Sequence, residues 1–136
     1  MRYLVDTNVI SELRKGRRCH SGVAAFFDQA PAESLFLSVL SLGELRKGIE
    51  QIRGRDPEQA QSLDAWLRDL QRFYASRILP IDAEVADRWG ELNTLRTFPV
   101  VDALLAATAL VHDLTLVTRN ARDVEGSGAV VIDPFA

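Results

Sequence analysis

The first eight residues place the tightest constraint on what this chain can fold into. Tyr3, Leu4 and Val5 form an unbroken apolar run of strand formers. Asp6 cuts it off at once, and two helix-capping types, Thr7 and Asn8, precede Val9-Ile10-Ser11-Glu12-Leu13. So short a run leaves no room for helical periodicity, and it reads as a strand buried on both faces of a helix-covered parallel sheet. Asp6 then stands at the carboxyl end of that strand, the edge where open α/β sheets collect their ligands. Its plainer role is to cap the next helix, for which Asp is among the best residues.

The same alternation runs through the rest of the chain. A short helix is expected from Ser11 to Lys15, ending near Gly16. A second, capped by Ser21, carries Val23, Ala24, Phe26 and Phe27 and closes at Pro31. Leu35-Phe36-Leu37 reads as a second strand. Ser38 to Ile52 follows as a helix, with Leu42, Leu45, Ile49 and Ile52 at helical spacing. Asp56-Pro57-Glu58 supplies a cap, a proline at the first helical position and an acid in the first turn. The helix it opens carries Leu63, Leu67, Leu70 and Tyr74 on one face. Ile78-Leu79-Pro80-Ile81 is extended, Asp82 caps a helix with Val85, Trp89 and Leu92 inside, and Pro99 breaks the chain. Asp102 to Val111 is apolar nearly all round and belongs in the middle of the domain. Leu114 to Thr118 and Ala129 to Ile132 are the last two strands. Strands alternating with helices imply an α/β fold with a central, mainly parallel sheet and helices on both faces, in one domain over residues 1–136.

Composition narrows the chemistry. Apolar residues make up 47% and charged residues 26% of the chain, as in an ordinary globular domain. No apolar run reaches membrane-span length and no signal pattern opens the chain, so no membrane association and a cytoplasmic location are expected. The single cysteine, Cys19, excludes an internal disulfide and a cysteine-pair zinc site. Cys19-His20 are adjacent in a Gly- and Arg-rich connection and do not make a nucleophile–base pair. His112 falls in the last turn of a helix, where a partial positive charge suits the dipole. The net charge of −3 hides an asymmetry, because residues 1–55 carry nine basic and six acidic side chains. Arg14, Lys15, Arg17 and Arg18 form one basic cluster, and Arg46, Lys47, Arg53 and Arg55 a second; most basic runs are solvated surface, but two in one half are candidates for a phosphate-facing rim.

Four of the nineteen acids stand out by position. Asp6 ends the first strand. Glu44 lies in the first turns of the helix after the second. Asp102 opens the most apolar helix, and Asp123 follows the strand ending at Thr118, with Arg119 and Asn120 between. In a parallel sheet these places share one edge. Each has a plainer account: Ser41-Leu42-Gly43-Glu44 matches a capping box, Asp102 gains from the helix dipole wherever it points, and Asp123 suits a loop. Asp102 is the least ordinary, since Val100, Val101 and Ala103 to Ala107 around it read as buried, and a charge in apolar surroundings is usually paired or metal-bound. Converging carboxylates repel by about 1 kcal/mol per pair at 4 Å in water and about 4 kcal/mol at an effective dielectric of 20. A shared proton or a hard divalent cation offsets this. An all-oxygen set without His or Cys suits Mg2+ or Mn2+ rather than zinc, and such a site activates water against a phosphodiester.

Four segments together carry a resemblance: Leu4 to Glu12, Ser38 to Gly48, Val101 to Ala109, and Leu116 to Asp123. In order and spacing the chain resembles the PIN-domain ribonucleases, specifically the VapC/FitB-type toxins of toxin–antitoxin pairs. The resemblance implies the three-layer α/β/α PIN fold and a Mg2+-dependent endoribonuclease with Asp6, Glu44 and Asp102 as core acids. By the motif, Asp123 is the fourth, with Asn120 the other candidate to complete the site and Thr7, Asn8 and Thr118 in support. It also implies a homodimer restrained by a small antitoxin whose tail crosses the active site. Val124 stands where similar sequences often carry Phe, and Asp133 where they often carry Asn before Pro134-Phe135. Two other readings compete with this one. A phosphatase with Asp6 as nucleophile wants a second acid two residues on, where Asn8 stands. An inactive RNA- or protein-binding module has no need of all four acids.

Overall fold

The computed structural model describes residues Met1–Ala136. Five short strands, β1 (Tyr3–Val5), β2 (Leu35–Ser38), β3 (Ile78–Leu79), β4 (Thr115–Val117) and β5 (Val131–Ile132), form one sheet in the order β3-β2-β1-β4-β5. Every pairing is parallel, with Leu4 opposite Phe36 on one side and Leu116 on the other. Six helices cover it: α1 (Thr7–Leu13), α2 (Ser21–Gln29), α3 (Val39–Arg53), α4 (Pro57–Phe73), α5 (Ala83–Leu92) and α6 (Val100–His112). This is the three-layer α/β/α arrangement anticipated. No helix is long and apolar enough to cross a membrane.

Side chains alternate across a strand, so each strand feeds two cores. Val5, Leu37 and Val117 join Val9, Ile10, Val23, Leu45, Ile49, Leu63 and Leu67 in the layer made by α1 to α4. Leu4 and Leu116 join Val85, Leu92, Leu105 and Ala106 in the layer of α5 and α6. Leu63, Leu67 and Tyr74 of the α4 stripe are buried, and Leu70 packs at its margin.

Several boundaries differ from the sequence-based expectation. The first helix begins at Thr7, not Ser11, because Asp6 caps it directly. His20, not Ser21, caps α2: its Nδ1 accepts from the Gly22 N–H at 3.0 Å. The helix of Asp102 starts two residues earlier, at Val100, so Asp102 lies within its first turn. Val100 is 61% exposed, contrary to the burial expected of it. The last two strands are shorter than their apolar runs. His112 does fall in the last turn of α6.

Two glycines separate space from propensity. A Cβ on Gly22 would run into the backbone carbonyl of Pro134, whereas one on Gly90 would meet nothing. Gly22→Ala is expected to destabilise by about 1–3 kcal/mol, and Gly90→Ala in mid-helix to stabilise by up to about 1 kcal/mol. Thermal melting of the two variants checks both signs.

Candidate active site

The strand order fixes where the site lies. The chain steps outward from β1 to β2 and β3, then returns to the other side of β1 as β4 and β5. The carboxyl ends of β1 and β4 therefore flank the topological switch point, where open α/β sheets leave a crevice. The Asp6 N–H donates to the Val117 carbonyl at 2.9 Å, extending the pairing to the crevice edge.

Asp6 is 4% exposed. Its Oδ1 accepts from the Thr7 N–H at 2.7 Å, the capping bond of α1. Its Oδ2 accepts from the Thr118 hydroxyl at 2.7 Å and, at 3.5 Å, from the Asn8 amide. The capping role and the site role thus belong to different oxygens of one carboxylate. Thr118 Oγ1 also accepts from the Asn120 N–H at 2.9 Å, so the single hydroxyl proton is left for Asp6. Burial pushes the Asp6 carboxyl up, with the Glu44 charge adding, against the opposing bonds from Thr118 and Thr7.

Glu44 is exposed on α3, and its Oε1 accepts from the Thr7 hydroxyl at 2.6 Å. The capping box that Ser41 and Glu44 suggested does not form. Ser38, at the end of β2, caps α3 by accepting from the Leu40 N–H at 3.0 Å. Ser41 is buried one turn later, its hydroxyl without a partner.

Asp102 projects from the first turn of α6, partly buried. Desolvation, then the charges of Asp6 and Asp123 and lastly Glu44, push its pKa up to about 6, against a hydrogen bond from the Asn120 side chain. Asp6, Glu44 and Asp102 line one cavity of about 300 Å³ with Thr7, Asn8 and Asn120. Asp123, in the 3-10 turn Ala121–Val124, does not line it, though it lies near enough to raise Asp102. No three acids gather at metal-ligand spacing. Both oxygens of Asp6 and one oxygen of Glu44 accept from hydroxyl or N–H donors of the protein. The donor set is nevertheless all oxygen with an excess of negative charge, and that chemistry fits a hard divalent cation.

The basic candidates divide. Arg46 is committed to Glu50 at 2.9 Å and Asp64 at 2.7 Å, and Arg53 bonds the same two acids. This network ties α3 to α4, and Arg53 with Arg46 holds Glu50 down at about 2. Lys15 pairs with Glu12 at 2.9 Å, and Arg14 lies over the Trp66 ring at 5.8 Å. Arg17 and Arg18 are exposed in the 3-10 turn Gly16–Arg18. Lys47 borders an open groove that it shares with Glu44 and Val101.

Two features are not located by the sequence. One is an apolar groove of about 300 Å³ between α1, α2 and α4, with Ile10, Leu13, Phe27, Trp66 and Phe73 in its walls. A cleft holding Arg14, Trp66, Thr7 and Glu44 leads from it toward the acids. The other is Arg119, which stands between two residues already singled out.

Because Asp102 takes up its proton more readily when folded, the native state binds more protons than the unfolded chain between about pH 4 and 6. Metal-free stability should therefore fall as pH rises through that window. Displacement to about 6 would be worth ~3 kcal/mol for a fully buried group, and partial exposure lowers this to about 1 kcal/mol. Asp102→Asn is expected to be the more stable chain by that amount at pH 7.5 and to lose the pH 4–6 slope, as urea titrations in EDTA would measure.

Comparison with known proteins agrees with this geometry. The PIN domain family model matches residues 3–124. The chain is 31% identical to the plasmid stability protein StbB of Pseudomonas syringae pv. tomato, with 97% of each covered. It is 30% identical to the VapC ribonuclease Y4jK of Sinorhizobium fredii, over 97% of this chain and 96% of that one. The crystal structure of FitAcB from Neisseria gonorrhoeae matches with a TM-score of 0.91 at 29% identity, covering 98% of each chain. Since the matched segment takes in Asp6, Glu44, Asp102 and Asp123 along with four of the five strands, the chain belongs to the PIN-domain family.

Proposed function

We propose that this chain is a Mg2+-dependent endoribonuclease, with Mn2+ able to substitute, and the toxin of a toxin–antitoxin pair. The observation that carries the proposal is the convergence of Asp6, Glu44 and Asp102 on one cavity at the switch point, with Asp123 adding its charge. Support comes from the ribonuclease name of Y4jK and from Toxin FitB of Neisseria gonorrhoeae, 28% identical over 97% of each chain. Asp6, Glu44 and Asp102 would hold the cation, and Asp123 or Asn120 would complete the set. A bound divalent ion would supply charge neutralisation for the phosphate and a lowered pKa for water.

The protein's own residues do the rest. Thr118 and the Thr7 N–H fix both oxygens of Asp6, so its carboxylate cannot swing out of the crevice. The Thr7 hydroxyl holds Glu44 toward the same cavity. Asn120 steadies Asp102, the carboxylate most ready to take a proton near neutrality. Water attacks phosphorus and the ribose 3′-oxygen leaves, so no 2′-hydroxyl is needed.

For the partner, the apolar groove between α1, α2 and α4 suits an amphipathic segment of a small antitoxin, and the Arg14–Trp66 cleft gives its tail a path to the acids. A toxin–antitoxin complex from Klebsiella pneumoniae shares the fold, with a TM-score of 0.71 at 26% identity, which supports a partner of this kind. Val39 and Val100, 40% and 61% exposed, leave apolar surface for a second copy, which supports a homodimer. The chain would act in the cytoplasm.

Cleaved RNA is expected to carry 5′-phosphate and 3′-hydroxyl ends, and a cyclic phosphate in end-group analysis would rule the mechanism out. Asp102→Asn should lower kcat by about 10²-fold or more, and Thr118→Val by about 10- to 100-fold, the usual loss for a residue that orients a ligand. For the groove, Trp66→Ala should weaken the complex with a cognate antitoxin by about 2 kcal/mol in calorimetry while sparing cleavage.

A further inference from the structure

Arg119 has a place that the acids alone do not explain. Its two neighbours both reach into the cluster, Thr118 through its bond to Asp6 and Asn120 by lining the cavity with Asp6 and Asp102. Its own N–H donates to Asn8 Oδ1 at 3.3 Å, and the other end of that amide faces Asp6. The backbone of Arg119 is thus built into the rim of the site, while the residue itself is exposed.

The guanidinium makes no ion pair and no hydrogen bond. It lies over the Phe135 ring, 4.5 Å from its centre. That ring is fixed from several sides. The Phe135 N–H donates to Asp133 Oδ1 at 2.9 Å, the His20 ring lies 5.2 Å away, and Pro134 is buried against Gly22, the position where a Cβ does not fit. Stacking on a ring leaves the in-plane N–H donors of a guanidinium free, and these match phosphate oxygens in pairs. Such a cation is already ordered, so little side-chain freedom is lost when it binds.

A strand of RNA approaching several carboxylates needs positive charge beside them. Arg46, Arg53 and Lys15 are spent on internal acids, whereas Arg119 is unpaired and joined in sequence to the site. We propose that Arg119 is a phosphate-holding residue of this site, gripping a backbone phosphate next to the scissile one, and that Phe135 is the positioning residue that aims it. The proposal rests on the ribonuclease reading above. It gives Asp133-Pro134-Phe135 a purpose: Asp133 turns the chain so that the ring meets the guanidinium.

The test is anisotropy titration of a labelled, mixed-sequence single-stranded RNA 12-mer in EDTA, across a salt series. Arg119→Gln is expected to bind about 5- to 10-fold more weakly and to reduce the slope of log K against log salt by about 0.7, the share of one single-strand phosphate. Arg119→Lys should keep the slope and recover part of the affinity. Phe135→Leu, with the charge intact, should keep the slope and lose about 3-fold in affinity. Arg119→Gln with unchanged affinity and slope would overturn the proposal, and so would a lower melting temperature as its only effect, since that marks a brace for the 133–135 segment. Should that variant not fold, Arg119→Lys binding as tightly as wild type would overturn it instead. Phe135→Leu binding like wild type would remove the positioning role. Parallel samples with Mg2+ separate the two claims: binding without cleavage by the wild type counts against the nuclease reading alone, and no RNA binding counts against both.

Discussion

The site depends on one hydrogen bond, from the Thr118 hydroxyl to Asp6 Oδ2 at 2.7 Å. It joins the ends of two adjacent central strands and satisfies a carboxylate that is almost wholly removed from water. A buried acid without such a donor would take up a proton or pull its strand out of register. With it, β1 can end in a charge inside the molecule. That end sets the start of α1, the direction of Asn8 and the rim residues after β4. Capping, strand pairing and the acid cavity meet in the same few atoms.

Against this local order stands a longer-range conflict. The charges of Asp6, Asp123 and Glu44 add to desolvation in raising the proton affinity of Asp102, and the charge of Glu44 adds to the rise at Asp6. The fold therefore keeps a destabilising group of like charges around one cavity at the switch point. The opposite arrangement lies between α3 and α4, where Arg46, Glu50, Arg53 and Asp64 neutralise one another. Charge in the first place is left uncompensated, and in the second it is closed upon itself.

Much of this was legible in the residues, and what was not has definite causes. Asp6, Glu44 and Asp102 announced themselves because strand ends and first helical turns share one edge of a parallel sheet. Ser38 and Ser41 are both reasonable caps three residues apart; the last residue of β2 decides between them, and sequence does not place that residue. Val100 looks like core because its neighbours are apolar, yet as the first residue of α6 it is left in water. Arg46 looked like a phosphate contact because Lys47 adjoins it, but Asp64, eighteen residues on, claims it. Arg119 suggests no role in the sequence because its partner is an aromatic ring past the end of the neighbouring strand β5. Periodicity reports faces of elements, and pairing across elements has no periodicity.

The span of the Asp6–Thr118 bond bears on how the molecule is made. Its partners are 112 residues apart, and the strand pair beneath it closes the same long loop. Contacts of such separation form late, because the entropy of closing the loop comes before any return from pairing. No fragment short of residues 6–118 can assemble the two walls of the crevice. During synthesis the acids therefore stay scattered along an unfinished chain until β4 has been made, well after β1, β2 and the α1 to α4 layer are available to pack. A chain nicked anywhere between the two residues loses that covalent loop, and with it the connection that brings β4 back to β1.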